Sequence, residues 1–420
     1  TAPTITFTGA GTTSPYTFTY NINGGPNQTI VSVGNTATLT ASTATPGTFT
    51  YNLVSVQDAS AAACSQAQTG SAVVTVNPSP TANITGTIAV CRNAPSPNVT
   101  FTGTTGTAPF TFTYTINGGP NQTVVSVGNT ATVAVPTGTT GTFVYALVSV
   151  QDASPSTCSQ AQSGSVTVTV NPLPTASIAG TITVCRNAAA PPVTFTGAGG
   201  TTPYTFTYNI NGGPNQTVVS VGNTATVNAS TAAAGTFTYT LVSVQDASAT
   251  LCSQSQSGNV VVTVTPLPTA AISGTIQVCQ NGPSPTITFT GAASTAPYTF
   301  TYNINGGPNQ TVVSVGNTAT VSAPTGTAGT FTYNLVSVQD ASANTCSQAQ
   351  TGTATVTVTP LPTANISGTI TVCRNGTAPN ITFTGAAGTA PYTFTYNING
   401  GPNQTVVSSG NTATVSASTA

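Results

Sequence analysis

Ionisable side chains are nearly absent from this 420-residue sequence. It has three Lys and Arg residues, four Asp and Glu residues and no His. Charged residues therefore make up 2% of the chain, against about 25% in an ordinary globular protein. With a formal net charge of -1, the chain has no strong field that would attract nucleic acid or an anionic membrane surface. We therefore expect no nucleic-acid partner.

The missing residue types also exclude most chemistry. General acid–base catalysis needs a titratable group tuned to the working pH, and the abundant Ser and Thr residues have no base to activate them. Zinc sites need His or closely spaced Cys pairs, and calcium sites need several carboxylates. No apolar run approaches the ~20 residues that cross a bilayer. We predict no enzyme, no catalytic, cofactor or metal site, and no membrane insertion in this segment.

A 94-residue repeat dominates what remains. One series of cysteines recurs at this step, namely Cys64, Cys158, Cys252 and Cys346. A second series of cysteines and a series of aspartates recur at the same step. The second cysteine series is Cys91, Cys185, Cys279 and Cys373, and the aspartates are Asp58, Asp152, Asp246 and Asp340. Repeats of this kind indicate a tandem array. The first and last segments are partial repeats, so we expect the chain to be part of a longer polypeptide.

Proline-flanked segments mark the boundaries of the repeat. They read NPSPTA at 77–82, NPLPTA at 171–176, and TPLPTA at 265–270 and 359–364. Proline fixes φ and lacks an amide donor, so these short linkers should end one module and stiffen the step to the next. The predicted array is a semi-rigid, elongated rod with domains at 1–80 (partial), 81–174, 175–268, 269–362 and 363–420 (partial).

Each repeat contains strand patterns and no helical ones. In Phe110–Ile116, Phe110, Phe112, Tyr114 and Ile116 alternate with Thr, which predicts a strand with one buried face. The sequence NGGPN at 117–121 predicts a turn, because Asn and Gly accept positive φ. The other strands predicted in this repeat are Thr87–Cys91, Asn98–Gly103, Gln122–Val127, Thr130–Val135, Thr142–Gln151 and Gly164–Val170.

Seven short strands in about 95 residues are typical of an immunoglobulin-like β-sandwich. The predicted fold class is therefore all-β, a tandem array of such modules. A β-solenoid is the alternative, because Thr-rich repeats occur there too. Solenoid coils repeat at ~20–30 residues, however, and the sequence shows no such shorter period.

Eight regularly spaced cysteines without metal-ligand spacing indicate disulfides and an oxidising, extracellular location. Two pairings fit the repeat. Partners 27 residues apart would bridge a linker, as in Cys64–Cys91. Partners 67 residues apart would lie within one module, and we favour these because domains usually close their own covalent loops. The expected bonds are Cys91–Cys158, Cys185–Cys252 and Cys279–Cys346, with Cys64 and Cys373 unpaired in this sequence.

The few charges have a structural interpretation. Arg92 follows Cys91 and Asp152 precedes Cys158 by six residues, so the favoured pairing would bring them together as an ion pair. Gln280 replaces Arg in one repeat, so such a pair is not required for folding. We expect Asp58 and its equivalents, in the sequence VQDAS, to organise turns.

The repeat resembles a known family of sequences. Residues 174–266 read PTASIAGTITVCRN…VTFTG…PYTFTYNINGG…GTFTYTLVSVQDAS…C…SGNVVVTVTP. This pattern resembles the PKD-like or Ig-like repeats of very large surface proteins of Bacteroidota. It is similar to adhesins exported by type IX secretion in gliding and predatory bacteria. The resemblance implies a cell-surface location and a role in attachment, gliding or prey capture, and it identifies no binding residue.

Two classes of function remain open. In the first, the segment is a stalk or filament shaft, and target cells or other surface components bind through domains outside it. In the second, the repeats are themselves a multivalent surface that binds glycans or other copies of the chain. Near-identical neighbours also favour a homo-oligomer or filament bundle through exchange of strands. Ice binding by a flat Thr array is a third reading, which the twist of β-sheets disfavours.

Overall fold

The structure is a computed structural model that describes residues 2–420. These residues form strands, turns and loops, and none of them forms a helix able to cross a bilayer. Thr, Val and aromatic residues favour the pleated, half-buried surface of a strand, which explains the all-β content. We number the modules by the sheets that their strands form: the first covers residues 2–77, the second 81–171, the third 175–265, the fourth 269–359 and the fifth 363–420.

The strands repeat in the same order from module to module. The first module contains β1 (Thr4–Thr8), β2 (Thr17–Ile22), β3 (Gln28–Val31), β4 (Thr36–Thr40), β5 (Gly47–Gln57), β6 (Ser65–Ala67) and β7 (Ser71–Val76). The second contains β8 (Thr81–Thr85), β9 (Ile88–Cys91), β10 (Asn98–Thr105), β11 (Thr111–Ile116), β12 (Gln122–Val125), β13 (Thr130–Ala134), β14 (Gly141–Gln151), β15 (Ser159–Ala161) and β16 (Ser165–Asn171).

The third module repeats the nine strands of the second. It contains β17 (Thr175–Ala179), β18 (Ile182–Cys185), β19 (Pro192–Ala198), β20 (Thr205–Ile210), β21 (Gln216–Val219), β22 (Thr224–Asn228), β23 (Gly235–Gln245), β24 (Ser253–Ser255) and β25 (Asn259–Thr265). The fourth contains β26 (Thr269–Ser273), β27 (Ile276–Cys279), β28 (Thr286–Ala292), β29 (Thr299–Ile304), β30 (Gln310–Val313), β31 (Thr318–Ser322), β32 (Gly329–Gln339), β33 (Ser347–Ala349) and β34 (Thr353–Thr359). The fifth contains β35 (Thr363–Ser367), β36 (Asn380–Ala386), β37 (Thr393–Tyr396), β38 (Gln404–Val407) and β39 (Thr412–Ser416).

Two sheets face each other in each complete module. In the second module the smaller sheet has the order β13-β10-β8, and the larger has the order β12-β11-β14-β16-β9 with β15 also paired to β14. All these pairs are antiparallel except β16 with β9, which is parallel. Every ladder in the chain joins strands of one module. The chain is therefore an all-β tandem array of immunoglobulin-like sandwiches, as predicted, and it is not a solenoid.

The alternating aromatic strand forms the core, as the sequence predicts. Phe112 of β11 is fully buried, and Phe110 and Tyr114 are nearly so. The Phe101 ring of the opposite sheet packs on Phe112 and Tyr114, with ring centroids 5.6 and 5.0 Å apart. Aromatic contacts at these separations add to the free energy gained by burying the rings. The same arrangement recurs in the third and fourth modules.

Two strands of the second module are absent from the sequence prediction. β8 (Thr81–Thr85) directly follows Pro80, within a segment that the proline pattern assigns to the linker. β15 (Ser159–Ala161) has three exposed residues and no β-branched or aromatic side chain that would indicate a strand. Both gain their order from a neighbour, because β8 pairs with β10 and β15 pairs with β14.

The fifth module is open on one side. It has no strands equivalent to β14 and β16, so Ile366 is 59% and Ile370 63% exposed. A cavity of about 970 Å³ lies there, lined by core residues such as Phe383, Tyr392 and Phe394. The cavity lies on the inner face of this partial sandwich and reaches the fourth module at Gln277 and Cys279.

Glycine at one core position is required by close packing. A Cβ atom on Gly103 would lie 2.5 Å from the Phe110 ring, and one on Gly197 would lie 2.5 Å from the Tyr204 ring. We predict that Gly103→Ala destabilises the second module by about 1–3 kcal/mol, because a packed aromatic ring must move. Gly138→Ala, in the same module, is the control, since no atom lies within 4 Å of its added Cβ. Peptide-resolved hydrogen exchange measures both effects, and equal effects would contradict this account of the packing.

Candidate functional site: the disulfide-linked module junction

Two disulfides connect neighbouring modules. Cys91 bonds Cys252 and Cys185 bonds Cys346, with Cα–Cα distances of 5.5 and 5.6 Å and a sequence separation of 161 in each case. Each bond joins the end of a short strand in one module to a loop of the next module. The second and third modules, and the third and fourth, are therefore linked twice: by the peptide chain and by a disulfide.

This connectivity corrects the pairs predicted within modules, Cys91–Cys158, Cys185–Cys252 and Cys279–Cys346. β9 ends at Cys91 beside Asn171, near the start of β14, whereas Cys158 follows the end of β14. β14 has 11 residues, so it separates the two positions by roughly 36 Å at ~3.3 Å per residue. A disulfide needs Cα atoms within about 7 Å. The two cysteines of a module thus lie at opposite ends of the sandwich.

The remaining four cysteines are free thiols in the structure: Cys64, Cys158, Cys279 and Cys373. The alternative pairing across 27 residues, Cys64–Cys91, is also excluded, because Cys91 bonds Cys252. The equivalents of Cys158 in later modules bond a cysteine 161 residues earlier, and the equivalents of Cys279 bond one 161 residues later. For Cys158 and Cys279 themselves, these positions lie outside the 420-residue sequence. Within these 420 residues, Cys158 at the first junction, between the first and second modules, has no partner cysteine.

The exit end of each module places its cysteine next to the departing linker. β9 pairs in parallel with β16, and Cys91 stands opposite Asn171, the last residue of β16. The amide of Arg92 then donates to the carbonyl oxygen of Asn171 at 2.8 Å. A cysteine at this position can reach only the module that follows.

The entry end of each module holds its cysteine in a loop organised by the single Asp. In the second module, one carboxylate oxygen of Asp152 accepts from the Ser154 hydroxyl at 2.7 Å and from the Cys158 amide at 2.9 Å. The other accepts from the Thr107 amide at 3.1 Å. Asp246 makes the equivalent bonds to Ser248 and Thr201 in the third module. The prediction that these aspartates organise turns is confirmed.

Hydrogen bonds lower the pKa of the loop carboxylate in the first and second modules. Burial by itself would raise the pKa of Asp152, but the bonds from Ser154, Thr107 and Cys158 outweigh it and lower the pKa below its usual value. In the first module, the Ser60 hydroxyl makes the largest contribution to a lowered pKa of Asp58. The lone carboxylate of each repeat is thus a fixed acceptor within a loop.

Direct hydrogen bonds also cross the junctions. The Asn171 side-chain amide donates to the Thr250 hydroxyl at 2.9 Å, beside the Cys91–Cys252 bond. At the next junction, the Asn344 side chain donates to the Thr183 carbonyl oxygen. At the first junction, the Asn77 side chain donates to the Ser156 hydroxyl at 2.8 Å. The modules therefore contact one another at every one of these three junctions.

The predicted ion pair between Arg92 and Asp152 is wrong. Arg92 lies at the exit end of the module, where its Nε donates to the Gly138 carbonyl oxygen at 3.0 Å, and Asp152 lies at the entry end. Gln280 makes the same bond through Nε2, to Gly326 at 2.9 Å. The position thus needs a side-chain donor rather than a charge, which explains how one repeat uses Gln.

No metal-binding cluster accompanies the junction in the described part of the chain. Among residues 2–420, no three His, Cys, Asp or Glu side chains lie close enough together to hold a metal ion. The disulfide connects the end of one sandwich to the start of the next.

Comparisons with known proteins give only distant likenesses. No protein-family model matches the chain, and no curated protein matches it. The tetra-tandem repeat in the extending region of a large adhesion protein is 15% identical and covers 85% of this chain and 95% of its own, with a TM-score of 0.28. The fibronectin(III)-like modules of Clostridium thermocellum CbhA are 13% identical, with 44% and 94% covered and a TM-score of 0.23. The four N-terminal Ig domains of Dscam1 isoform 8.4 are 12% identical, with 82% and 92% covered and a TM-score of 0.20. At TM-scores below 0.5 these likenesses carry no inference about function.

The Asp loop predicts a pH dependence of stability. Because the folded state lowers the pKa of Asp152, the ionised carboxylate stabilises the fold above the unfolded pKa of 3.8. This contribution is lost as the pH falls through the lower, folded pKa. Asp152→Asn should therefore reduce the stability of the second module at pH 7, and the difference from wild type should shrink below pH 4. Denaturant unfolding at pH 7, 5 and 2.5 measures it, and a pH-independent difference would contradict the assignment.

Proposed function

We propose that this chain is an extracellular structural repeat region, a stalk or filament shaft, of a large bacterial surface adhesin or appendage. The disulfide that doubles each of two successive linkers is the observation that carries the proposal. A single Pro-rich linker leaves two sandwiches free to bend about one connection, whereas a second bond beside it restricts that motion. Such a junction suits a spacer that must keep its length and direction.

The composition supports the same function. An oxidising compartment is where structural disulfides persist, which fits an extracellular location. A surface with 2% charged residues has little electrostatics for salt to screen, so its shape should be insensitive to ionic strength. The resemblance to type IX-secreted Bacteroidota repeats extends the proposal to attachment, gliding or prey capture through domains outside this segment. Association of several copies into a bundle belongs to the same proposal.

Linker cleavage tests the doubled junction directly. A specific protease site is inserted at Leu173, between the second and third modules, and in a matched variant at Ser79, at the first junction. After cleavage at Leu173, the Cys91–Cys252 bond should keep the chain as one species on a non-reducing gel, and reductant should separate it. After cleavage at Ser79, the chain should separate without reductant, because that junction has no disulfide.

Separation of the Leu173 variant without reductant would refute the doubled junction and the spacer function that depends on it. The Ser79 variant shows that the protease has cut to completion and that the hydrogen bonds between modules do not hold the pieces together. Both variants carry the same insertion in the same protein, so any difference between them reports the disulfide.

A second candidate function has its own observation. Val33, Val127, Val221 and Val315 occupy the same turn in four successive modules, and they are 89–91% exposed. We call these four residues the exposed valine row. Each has a neighbour at the end of an edge strand, such as Val125, that is about 60% exposed. A repeated apolar position of this kind favours a multivalent surface that binds glycans or other copies of the chain.

Substitution of the exposed valine row separates the two functions. The fifth module has Ser409 at this position, so replacing all four valines by Ser reproduces a residue that the repeat already accepts. If the repeats only space other domains, the variant and the parent should be equally monomeric in sedimentation and equally inert to cells and glycan arrays. Binding or self-association that the four Val→Ser changes abolish would favour the adhesive function instead.

A further inference from the structure

The third module has a disulfide at both ends. Cys252 bonds the second module and Cys185 bonds the fourth. The peptide chain enters at Leu173 and leaves at Leu267. Each end of the module thus has two covalent attachments, one through the backbone and one through a cysteine. The inference below rests on the proposed spacer function and concerns how tension passes between these attachments.

Two short tracks cross the module from its entry end to its exit end. The first runs from Leu173 through β17 and β18 to Cys185, and both strands are extended in the folded state. About a dozen residues at ~3.3 Å each span roughly 40 Å. β23, the strand that runs the length of the sandwich, has 11 residues, or roughly 36 Å on the same basis. The first track is therefore already close to its full length.

The second track runs from Cys252 through β24 and β25 to Leu267. β24 and β25 both pair antiparallel with β23, so they point in the same direction along the module. The two tracks lie side by side, because β18 and β25 form a parallel pair from Ile182↔Val262 to Cys185↔Thr265. Residues 186–251, which hold most of the aromatic core, lie on neither track.

We propose that tension along the array follows these two tracks and bypasses residues 186–251 of the third module. Backbone tension that enters at Leu173 leaves through the Cys185–Cys346 bond. Tension that enters through the Cys91–Cys252 bond leaves through the backbone at Leu267. The core of the third module then carries no tension until both the second and fourth modules have unfolded. The parallel β18–β25 pair couples the two tracks along their length.

The staggered bonds also limit how far the array can extend. The two disulfide loops, each with a separation of 161 residues, overlap between Cys185 and Cys252. The shortest covalent path from Ser79 to Leu361 passes along Cys91, Cys252, Cys185 and Cys346, and it is one 94-residue repeat long. The second, third and fourth modules together can therefore extend to about 330 Å at ~3.5 Å per residue. Without the bonds they could reach about 990 Å.

Force spectroscopy on the complete 420-residue chain, held at its two ends, tests the inference. At ~3.5 Å per residue, the oxidised chain should reach a contour length of about 810 Å, and the chain reduced with a dithiol should reach about 1,470 Å. Because the loops overlap, the gains in contour length from removing the two disulfides should not be additive. Cys91→Ser alone should lengthen the oxidised chain by only about 95 Å, and adding Cys185→Ser should lengthen it by a further 560 Å or so.

Cys158→Ser is the matched control, since Cys158 is a free thiol and its loss should leave the contour length unchanged. Equal gains of about 230 Å from Cys91→Ser and from Cys185→Ser, at ~3.5 Å per residue, would show separate loops and overturn the inference. So would a contour length that reduction does not change. If the chain cleaved at Leu173 stays in one piece but the length gains of Cys91→Ser and Cys185→Ser are additive, the proposed tension path is wrong and the proposed spacer function is retained. If the chain cleaved at Leu173 separates without reductant, the proposed spacer function is wrong, and the tension path that depends on it is wrong as well.

Discussion

The bond between the exit-end cysteine of one module and the entry-end cysteine of the next is the constraint on which the array depends. A sandwich of about 95 residues buries only a thin core. A Pro-rich linker alone would leave each module free to move relative to its neighbour. The parallel pairing of β9 with β16 puts Cys91 beside the departing chain, and the Cys91–Cys252 bond then adds a second connection beside the linker.

The scarcity of charge has a structural counterpart at the same place. The buried carboxylates of the second to fourth modules, Asp152, Asp246 and Asp340, each organise the loop that presents the entry-end cysteine. A buried carboxylate needs several hydrogen-bond donors, and Ser and backbone amides supply them without a cation. The Arg at the exit end is a hydrogen-bond donor, which is why Gln280 replaces it. The two charges are not paired with each other: Arg92 donates to the Gly138 carbonyl oxygen, and Asp152 accepts within its own loop.

The fold could be predicted from the sequence because its signals are local. The alternation of Phe110, Phe112 and Tyr114 defines a buried face whatever the strand pairs with, and the NGGPN turn defines where the chain reverses. β8 and β15 lack such a signal and depend on their partners. The cysteine pairing depends on strand direction over the length of a module. The strand Thr142–Gln151 separates Cys158 from the start of that strand by a full module length, and the spacing of cysteines along the sequence does not reveal this separation. The predicted Arg92–Asp152 pair is wrong for the same reason, since the two residues lie at opposite ends of the module.

Disulfide mapping of the unreduced protein tests the central claim most directly. Fragments produced without reductant and analysed by mass spectrometry should contain Cys91 joined to Cys252 and Cys185 joined to Cys346. Alkylation before reduction should label Cys64, Cys158, Cys279 and Cys373. Fragments that join Cys91 to Cys158, or Cys185 to Cys252, would contradict the account, because the modules would then be stapled internally and connected only by their linkers.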